Sequence, residues 1–382
     1  TPYSGRLSFA SDGFVIDSSN DGWNGNNETY IYLAIAADPD TTTPTVENSF
    51  DVVTYSGSNS AQSIDTGFKP DLVWVKNRDD SRNHVLSDSI RGAENFIVSN
   101  STGAEITNDP QITSLNDNGF SLIGNSASVN RSGYDYVAWV WKAGDHDDNL
   151  PQINTEGDID SIVSVNAEAG FSIVKYTGTG LAVNNTIGHG LSSAPEMIIL
   201  KRLNSTNPWI VYHTAMGTGK HMELNSSGGE SGTGSLFGYP ADVGVAPTST
   251  VFTVGVSSSS NASSSPFIAY CFHSVTGYQK VGSYTGTGTT SSFTNFGFEP
   301  RWIMIKSTSS GNWWIFDNVR GNNKGLRANV SSQEDTTDAD ANTNEYRINF
   351  LPDGFQYEID DSTSVSPDLN TLDQEYIYLA IK

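Results

Sequence analysis

Tyr134-Asp-Tyr-Val-Ala-Trp-Val-Trp141, Pro266-Phe-Ile-Ala-Tyr-Cys-Phe272 and Glu375-Tyr-Ile-Tyr-Leu-Ala-Ile381 are three versions of one segment. Each is short, aromatic and β-branched, with no 3.6-residue apolar period, and so reads as a strand. Each keeps an Ala at one fixed place among large neighbours. Cores interdigitate large with small side chains, so this Ala predicts a tight contact between two sheets. A second strand precedes each copy: Asn118-Gly-Phe-Ser-Leu-Ile123, Val251-Phe-Thr-Val-Gly-Val256 and Asp353-Gly-Phe-Gln-Tyr-Glu-Ile359.

Working outward, the repetition extends. Phe50-Asp-Val-Val-Thr-Tyr-Ser-Gly57, Phe171-Ser-Ile-Val-Lys-Tyr-Thr-Gly178 and Tyr278-Gln-Lys-Val-Gly-Ser-Tyr-Thr-Gly286 open the units. Each predicts a strand whose closing Gly supplies a positive φ for the next turn. Gly67-Phe-Lys-Pro-Asp-Leu-Val-Trp-Val-Lys76 matches Gly297-Phe-Glu-Pro-Arg-Trp-Ile-Met-Ile-Lys306, with Gly190 to Lys201 as a looser copy. Proline, lacking an N–H, belongs at the strand start. The apolar run after it reads as a central strand covered on both faces, and the lysine is expected to end it at the surface. A further block aligns His84 to Gly92, Trp209 to Gly217 and Trp314 to Gly321. A single helical turn is expected at Ser87–Ala93 and at Asn318–Gly321.

Each unit spans roughly 95–105 residues and offers seven or eight strands, the size and spacing of a β-sandwich. The expected fold is all-β: tandem jelly-roll or immunoglobulin-like sandwiches, elongated, with very little helix. The expected division is a half repeat over 1–37, a linker over 38–49, repeat 1 over 50–144 and an acidic linker over 145–169. Repeat 2 then spans 170–274 and repeat 3 spans 275–382. The half repeat carries Ser11 to Ile16 and Thr29 to Ile35, the closing strands of a unit without its opening ones. Isolated hairpins are marginal in water, so these strands are expected to pair with a neighbouring chain, another unit or an upstream segment.

Composition narrows the function classes. Aromatics at 11% are too many for a disordered chain. Asp and Glu outnumber Lys and Arg 43 to 20, a net charge of -23. That argues against nucleic acid, whose binding needs a basic footprint, and against anionic membranes. No apolar run is long enough to span a bilayer. The chain begins at Thr1 with neither Met nor a secretion signal, which predicts a processed start or a longer product. The one cysteine, Cys271, lies in an apolar run and reads as a buried small hydrophobe.

His84, His146, His189, His213, His221 and His273 form no nucleophile elbow or zinc-ligand spacing. Asp145-His-Asp-Asp-Asn149 and Asp335-Thr-Thr-Asp-Ala-Asp340 offer hard oxygens for calcium but read first as solvated acidic loops. The Thr-Gly-Thr-Gly stretches at 177–180 and 285–288 lack the Lys of a phosphate loop and read as hairpin turns. Asp88 and Asp317 are each followed three residues later by Arg91 and Arg320. Because a catalytic group needs no copy per unit, these read as structural pairs that hold turns. Trp23, Trp313 and Trp314 are candidate aromatics for stacking on a glycan. The sequence therefore reads as non-catalytic, with no cofactor and no metal.

The blocks Gly-Phe-x-Pro-Asp-Leu-Val-Trp-Val-Lys76, Asp-Ser-Ile-Arg-Gly92, Asn-Gly-Phe-Ser-Leu122 and Tyr-Val-Ala-Trp-Val-Trp-Lys-Ala-Gly144 carry a family resemblance. So do Gly277 to Gly288 and the later blocks ending at Gly321 and Ile381. Together they resemble a repeat of virion proteins from marine tailed bacteriophages. Repeat 2 departs from them at the Gly-Phe-x-Pro and Asp-x-x-Arg positions, where His213 and Met216 stand. The resemblance implies a tail fibre, appendage or capsid-decoration protein on the extracellular particle, serving adhesion or architecture. Its implied partners are further copies of itself, other virion proteins and a host surface glycan. The alternative is a secreted carbohydrate-binding or adhesin protein of a marine bacterium.

Overall fold

The computed structural model describes residues 7–10, 13–16, 46–144, 152–232, 234–240, 243–336, 346–359 and 369–382. Leu7–Ala10 (β1) and Gly13–Ile16 (β2) form an antiparallel hairpin in which Ala10 faces Gly13. Repeat 1 holds Phe50–Ser56 (β3), Gln62–Asp65 (β4), Leu72–Asn77 (β5), Val85–Asp88 (β6), Ile112–Asn116 (β7), Gly119–Leu122 (β8) and Asp135–Trp141 (β9). Repeat 2 holds Gln152–Asn154 (β10), Ser161–Asn166 (β11), Phe171–Thr177 (β12), Asn185–Gly188 (β13), Met197–Arg202 (β14), Ile210–His213 (β15), Lys220–Glu223 (β16), Ser231–Gly232 (β17), Val251–Val254 (β18) and Pro266–Phe272 (β19). Repeat 3 holds Gln279–Thr285 (β20), Ser291–Asn295 (β21), Trp302–Ser307 (β22), Trp314–Asp317 (β23), Lys324–Arg327 (β24), Asp335–Thr336 (β25), Tyr346–Leu351 (β26), Gly354–Ile359 (β27) and Glu375–Ile381 (β28).

Each repeat is a two-sheet sandwich, as the strand pattern predicts. The large sheets run β3-β9-β5-β6, β10-β11-β12-β19-β14-β15-β16-β17 and β20-β28-β22-β23-β24-β25. The small sheets run β4-β8-β7, β13-β18 and β21-β27-β26. The two-residue hairpin of β1 and β2 recurs between β7 and β8 and between β26 and β27. Of the expected half repeat, Gly13–Ile16 pairs with the adjacent Leu7–Ala10. Thr29 to Ile35 lie outside the described residues. Among the described residues, helix is confined to Ser258–Asn261 and short 3-10 turns at Val46–Asn48 and Thr214–Met216. After Asp88 the chain makes one hydrogen-bonded turn, with Gly92 N–H donating to Asp88 C=O at 3.0 Å.

The central strands are apolar on both faces because each face meets a different core. Val73, Val75, Tyr136, Ala138 and Val140 pack with Phe120 and Leu122 inside the sandwich of repeat 1. The recurrent Ala138, Ala269 and Ala380 all lie on this inner face. Their opposite-parity neighbours enter one cluster common to all three repeats. It gathers Trp74, Trp139 and Trp141 from repeat 1, Ile199, Tyr270 and Phe272 from repeat 2, and Trp302, Leu379 and Ile381 from repeat 3. A side chain so placed contributes about 1.5–3 kcal/mol, and here that gain requires all three repeats.

Equivalent hydrogen bonds close the three repeats into a ring. Strand pairing puts His84, Trp209 and Trp313 at one position, one residue off the sequence alignment for repeat 3. Trp209 Nε1 donates to Val98 C=O of repeat 1 at 2.9 Å, and Trp313 Nε1 to Glu223 C=O of repeat 2 at 2.9 Å. His84 Nε2 meets Arg327 C=O of repeat 3 at 3.0 Å. A second set runs the other way round: Glu105 N–H to Leu203 C=O, Glu230 N–H to Thr308 C=O and Glu334 N–H to Arg78 C=O, each at 2.8 Å. Residues 44–382 thus form a single unit. The expected elongated string of separately cored sandwiches is corrected here: a sheet with two apolar faces needs a second cover, and the neighbouring repeats supply it.

Three smaller expectations change with it. The 145–169 linker contains β10 and β11, which extend the large sheet of repeat 2. The Thr-Gly-Thr-Gly stretches are not hairpin turns; they carry the chain from large sheet to small sheet. Gly57, Gly178 and Gly286 are absent from the positive-φ residues. They are glycine because a Cβ would lie 2.1 Å from Arg131 O, 2.4 Å from Ala262 O and 2.0 Å from Thr371 O.

Candidate functional site

A set of buried charged and polar side chains lies between repeats. Arg91 Nε meets Asp88 Oδ2 at 2.6 Å, and its backbone N–H donates to Asp88 Oδ1 at 2.9 Å. Arg320 repeats both bonds with Asp317 at the same distances. A carboxylate three residues before the arginine thus ties side chain and backbone of one turn, the structural role read from the spacing. The sequence did not show what lies opposite. Tyr270 of repeat 2 donates to Asp88 Oδ2 at 2.7 Å, and Trp139 Nε1 of repeat 1 donates to Asp317 Oδ2 at 2.9 Å. The guanidinium carbon of Arg320 also lies 5.5 Å from the centre of the Trp139 ring.

Repeat 2 explains its own departure. Leu379 occupies the strand position of Trp139 and Tyr270, and an aliphatic side chain cannot donate to a carboxylate. Opposite it, His213 and Met216 replace the Asp and Arg. Charge and donor are present together or absent together, as desolvated pairs require.

A glutamate completes each charged set. Arg91 Nη1 meets Glu105 Oε1 at 3.0 Å. Glu334 accepts from Arg320 Nη1 at 2.9 Å and from Arg78 of repeat 1 at 2.9 and 3.0 Å. Burial alone would raise the Glu334 pKa; Arg78 and Arg320 overcome it and hold the carboxyl below the usual range. In repeat 2, Glu230 pairs with Lys220 instead.

Lys76, Lys201 and Lys306 do not end at the surface: all three are fully buried. The next repeat in the ring covers the strand end, so carbonyls replace water around the ammonium. Lys201 Nζ donates to Thr102 C=O of repeat 1 at 3.2 Å and to Asn207 C=O at 3.0 Å. Lys306 Nζ reaches Ser227 C=O of repeat 2 at 3.5 Å. Desolvation pulls Lys201 and Lys306 down to about 8, and Lys76 to about 7 against the pull of Asp80 and Glu334. The sequence signal was present, a Lys at one register position in every unit, but burial is a property of the neighbour.

Trp313 and Trp314 are corrected as glycan-stacking candidates. They are 1% and 4% exposed, so neither ring offers a face to a sugar. Trp313 enters the shared core and Trp314 the sandwich of repeat 3. Trp23 lies outside the described residues, as does the loop Asp145 to Asn149. Of the second acidic loop, Asp335 pairs with Arg327 at 2.8 Å, and Asp338 and Asp340 lie outside the description. No group of three or more His, Cys, Asp or Glu among the described residues is placed to hold a metal ion. Three histidines are held neutral by acceptance at Nδ1: His84 from Trp74 Nε1, His189 from Leu191 N–H and His213 from Ala215 N–H. Burial pushes His189 and His213 down to about 4 and His84 well below its usual value.

At the centre of the ring, Leu72, Trp141, Phe272, Trp302 and Leu379 line an apolar void of about 10 Å³. That is the lower limit for one water. No curated protein and no solved structure matches the chain. A family model does match, over residues 46–382, the span that contains the whole ring. The chain belongs to the family described as Domain of unknown function (DUF7483).

Proposed function

We propose that this chain is a non-catalytic structural protein of a bacteriophage virion, a tail fibre, appendage or capsid-decoration component serving adhesion or particle architecture. The observation that carries the reading is the use made of its charged groups. Asp88, Arg91, Asp317, Arg320 and Glu334 are buried and paired within their own repeats, and Tyr270, Trp139 and Arg78 bond to Asp88, Asp317 and Glu334 from neighbouring repeats. Groups committed in this way rigidify a scaffold and present no free acid, base or nucleophile. The repeat blocks that resemble marine phage virion proteins support the same reading. So does the charge of -23, which keeps particles apart in solution. The carbohydrate-binding alternative loses Trp313 and Trp314 to the core. The test is mass spectrometry of purified particles from a phage that encodes the chain, with labelled antibody in electron microscopy. The chain is expected in the particle at a fixed copy number; particles without it would overturn the proposal.

A further inference from the structure

One strand edge is covered in repeat 2 and has no strand partner on its outer side in repeat 3 among the described residues. In repeat 2, Ile159 bridges in parallel to Ile187 of β13, the edge of the small sheet. Ile159 N–H donates to Thr186 C=O at 3.0 Å, and Asp158 Oδ2 accepts from Thr186 N–H at 3.1 Å. The outward backbone groups of this edge thus take an added segment. Ile187 faces Phe252, and Thr294 faces Phe355, so Phe293 of β21 stands where Thr186 stands in β13. The joint before repeat 3 runs only from His273 to Gly277, too short to supply an equivalent cover. Phe293 is 49% exposed at this edge.

We infer that β21 is a self-association edge, on which the β21 strand of a second copy pairs antiparallel about Phe293. The charge distribution selects this occupant. Two copies each carrying -23 repel, and from Val281 to Phe298 no side chain is charged. Natural edges are commonly protected by Lys, Pro or a cover; β21, Ser-Ser-Phe-Thr-Asn, holds neither Lys nor Pro, and no strand among the described residues covers its outer side. The β4 edge carries Asp65, and β7 is flanked by Asp109 and Asp117. Pairing about Phe293 brings two exposed rings together on the outer face of the joined sheets, and its twofold symmetry closes the assembly at two copies.

The experiment uses the full chain and is independent of the virion reading, which particle composition tests. Sedimentation velocity over a wide concentration range should show a reversible dimer. Phe293→Lys should weaken it about tenfold or more and leave the folded spectrum unchanged. Phe293→Cys should cross-link into a dimer on oxidation, because directly opposed residues in an antiparallel pair lie within disulfide reach. Ser63→Cys, the equivalent position on β4, should not. Cys271 is buried and stays silent. A chain monomeric at every concentration, a dimer indifferent to Phe293→Lys, or a Phe293→Cys dimer that resists cross-linking would each overturn the inference.

Discussion

Replacing Asp317 with Ala should destabilise the ring far more than replacing Asp317 and Arg320 together. In the native protein the Asp317 carboxylate accepts from the Arg320 side chain, the Arg320 backbone and the Trp139 indole. Neither side chain of the pair is exposed. Removing the acid leaves a buried guanidinium with Glu334 as its remaining carboxylate, and breaking such a pair costs about 3–5 kcal/mol. Arg320→Met alone leaves the buried Asp317 carboxyl without its guanidinium partner, at a similar cost. The double variant removes both desolvated charges, and Glu334 keeps Arg78. Exchange of a buried pair for apolar side chains is often near neutral, so the double variant should lie within about 2 kcal/mol of wild type after the unpaired indole is included. Repeat 2 already uses His213 and Met216 at these positions. The assay is equilibrium unfolding in urea, followed by tryptophan fluorescence and circular dichroism, for wild type, both single variants and the double. With singles at about 3–5 kcal/mol and the double within about 2, the cycle should give a coupling of about 4 kcal/mol or more. Additive losses, or a single-variant cost below about 1 kcal/mol, would refute the claim that this pair is desolvated and mutually dependent.

Residues 275–382 expressed alone would expose Trp302, Met304, Trp313, Ile315, Ile377, Leu379 and Ile381, seven side chains of the shared core. At about 1.5–3 kcal/mol each this loss rivals the whole stability of a domain, so the fragment should aggregate or self-assemble; a well-dispersed monomer NMR spectrum would count against the ring. Gly57→Ala should cost more than about 2 kcal/mol through backbone overlap. Gly67→Asn, with nothing within 4 Å of its Cβ, should cost less than about 1 kcal/mol; melting temperatures that reverse this order would sink the steric account. Stability should also fall on acidification. His189 and His213 titrate near 6.5 when unfolded and at about 4 when folded, so below 6.5 the unfolded chain binds more protons. Stability is then full above 6.5 and lost as pH falls toward 4, by about 2 kcal/mol per histidine at pH 5. His213→Gln should flatten that part of the profile measured by urea unfolding, and an unchanged slope would contradict it.

The strand pattern, the three repeats and the Asp-x-x-Arg turns were legible in the chain. They depend on local alternation, on turn residues and on contacts three residues apart. The lysines at 76, 201 and 306 were legible as a repeat but misplaced at the surface. Trp313 and Trp314 looked available for a ligand for the same reason. A residue's burial depends on the element packed over it, and here that element belongs to another repeat.

By itself, then, the sequence determined that this protein is built of repeated β-sandwiches whose central strands are apolar on both faces. Which surface covers the second face was decided only in the tertiary structure. Hydrophobic burial is non-directional, so an apolar face specifies that it must be covered and not by what. Directional bonds made the choice. The Trp209, Trp313 and His84 contacts to a neighbouring carbonyl, and the Asp88 and Asp317 acceptors for Tyr270 and Trp139, come together only when three repeats close on one another.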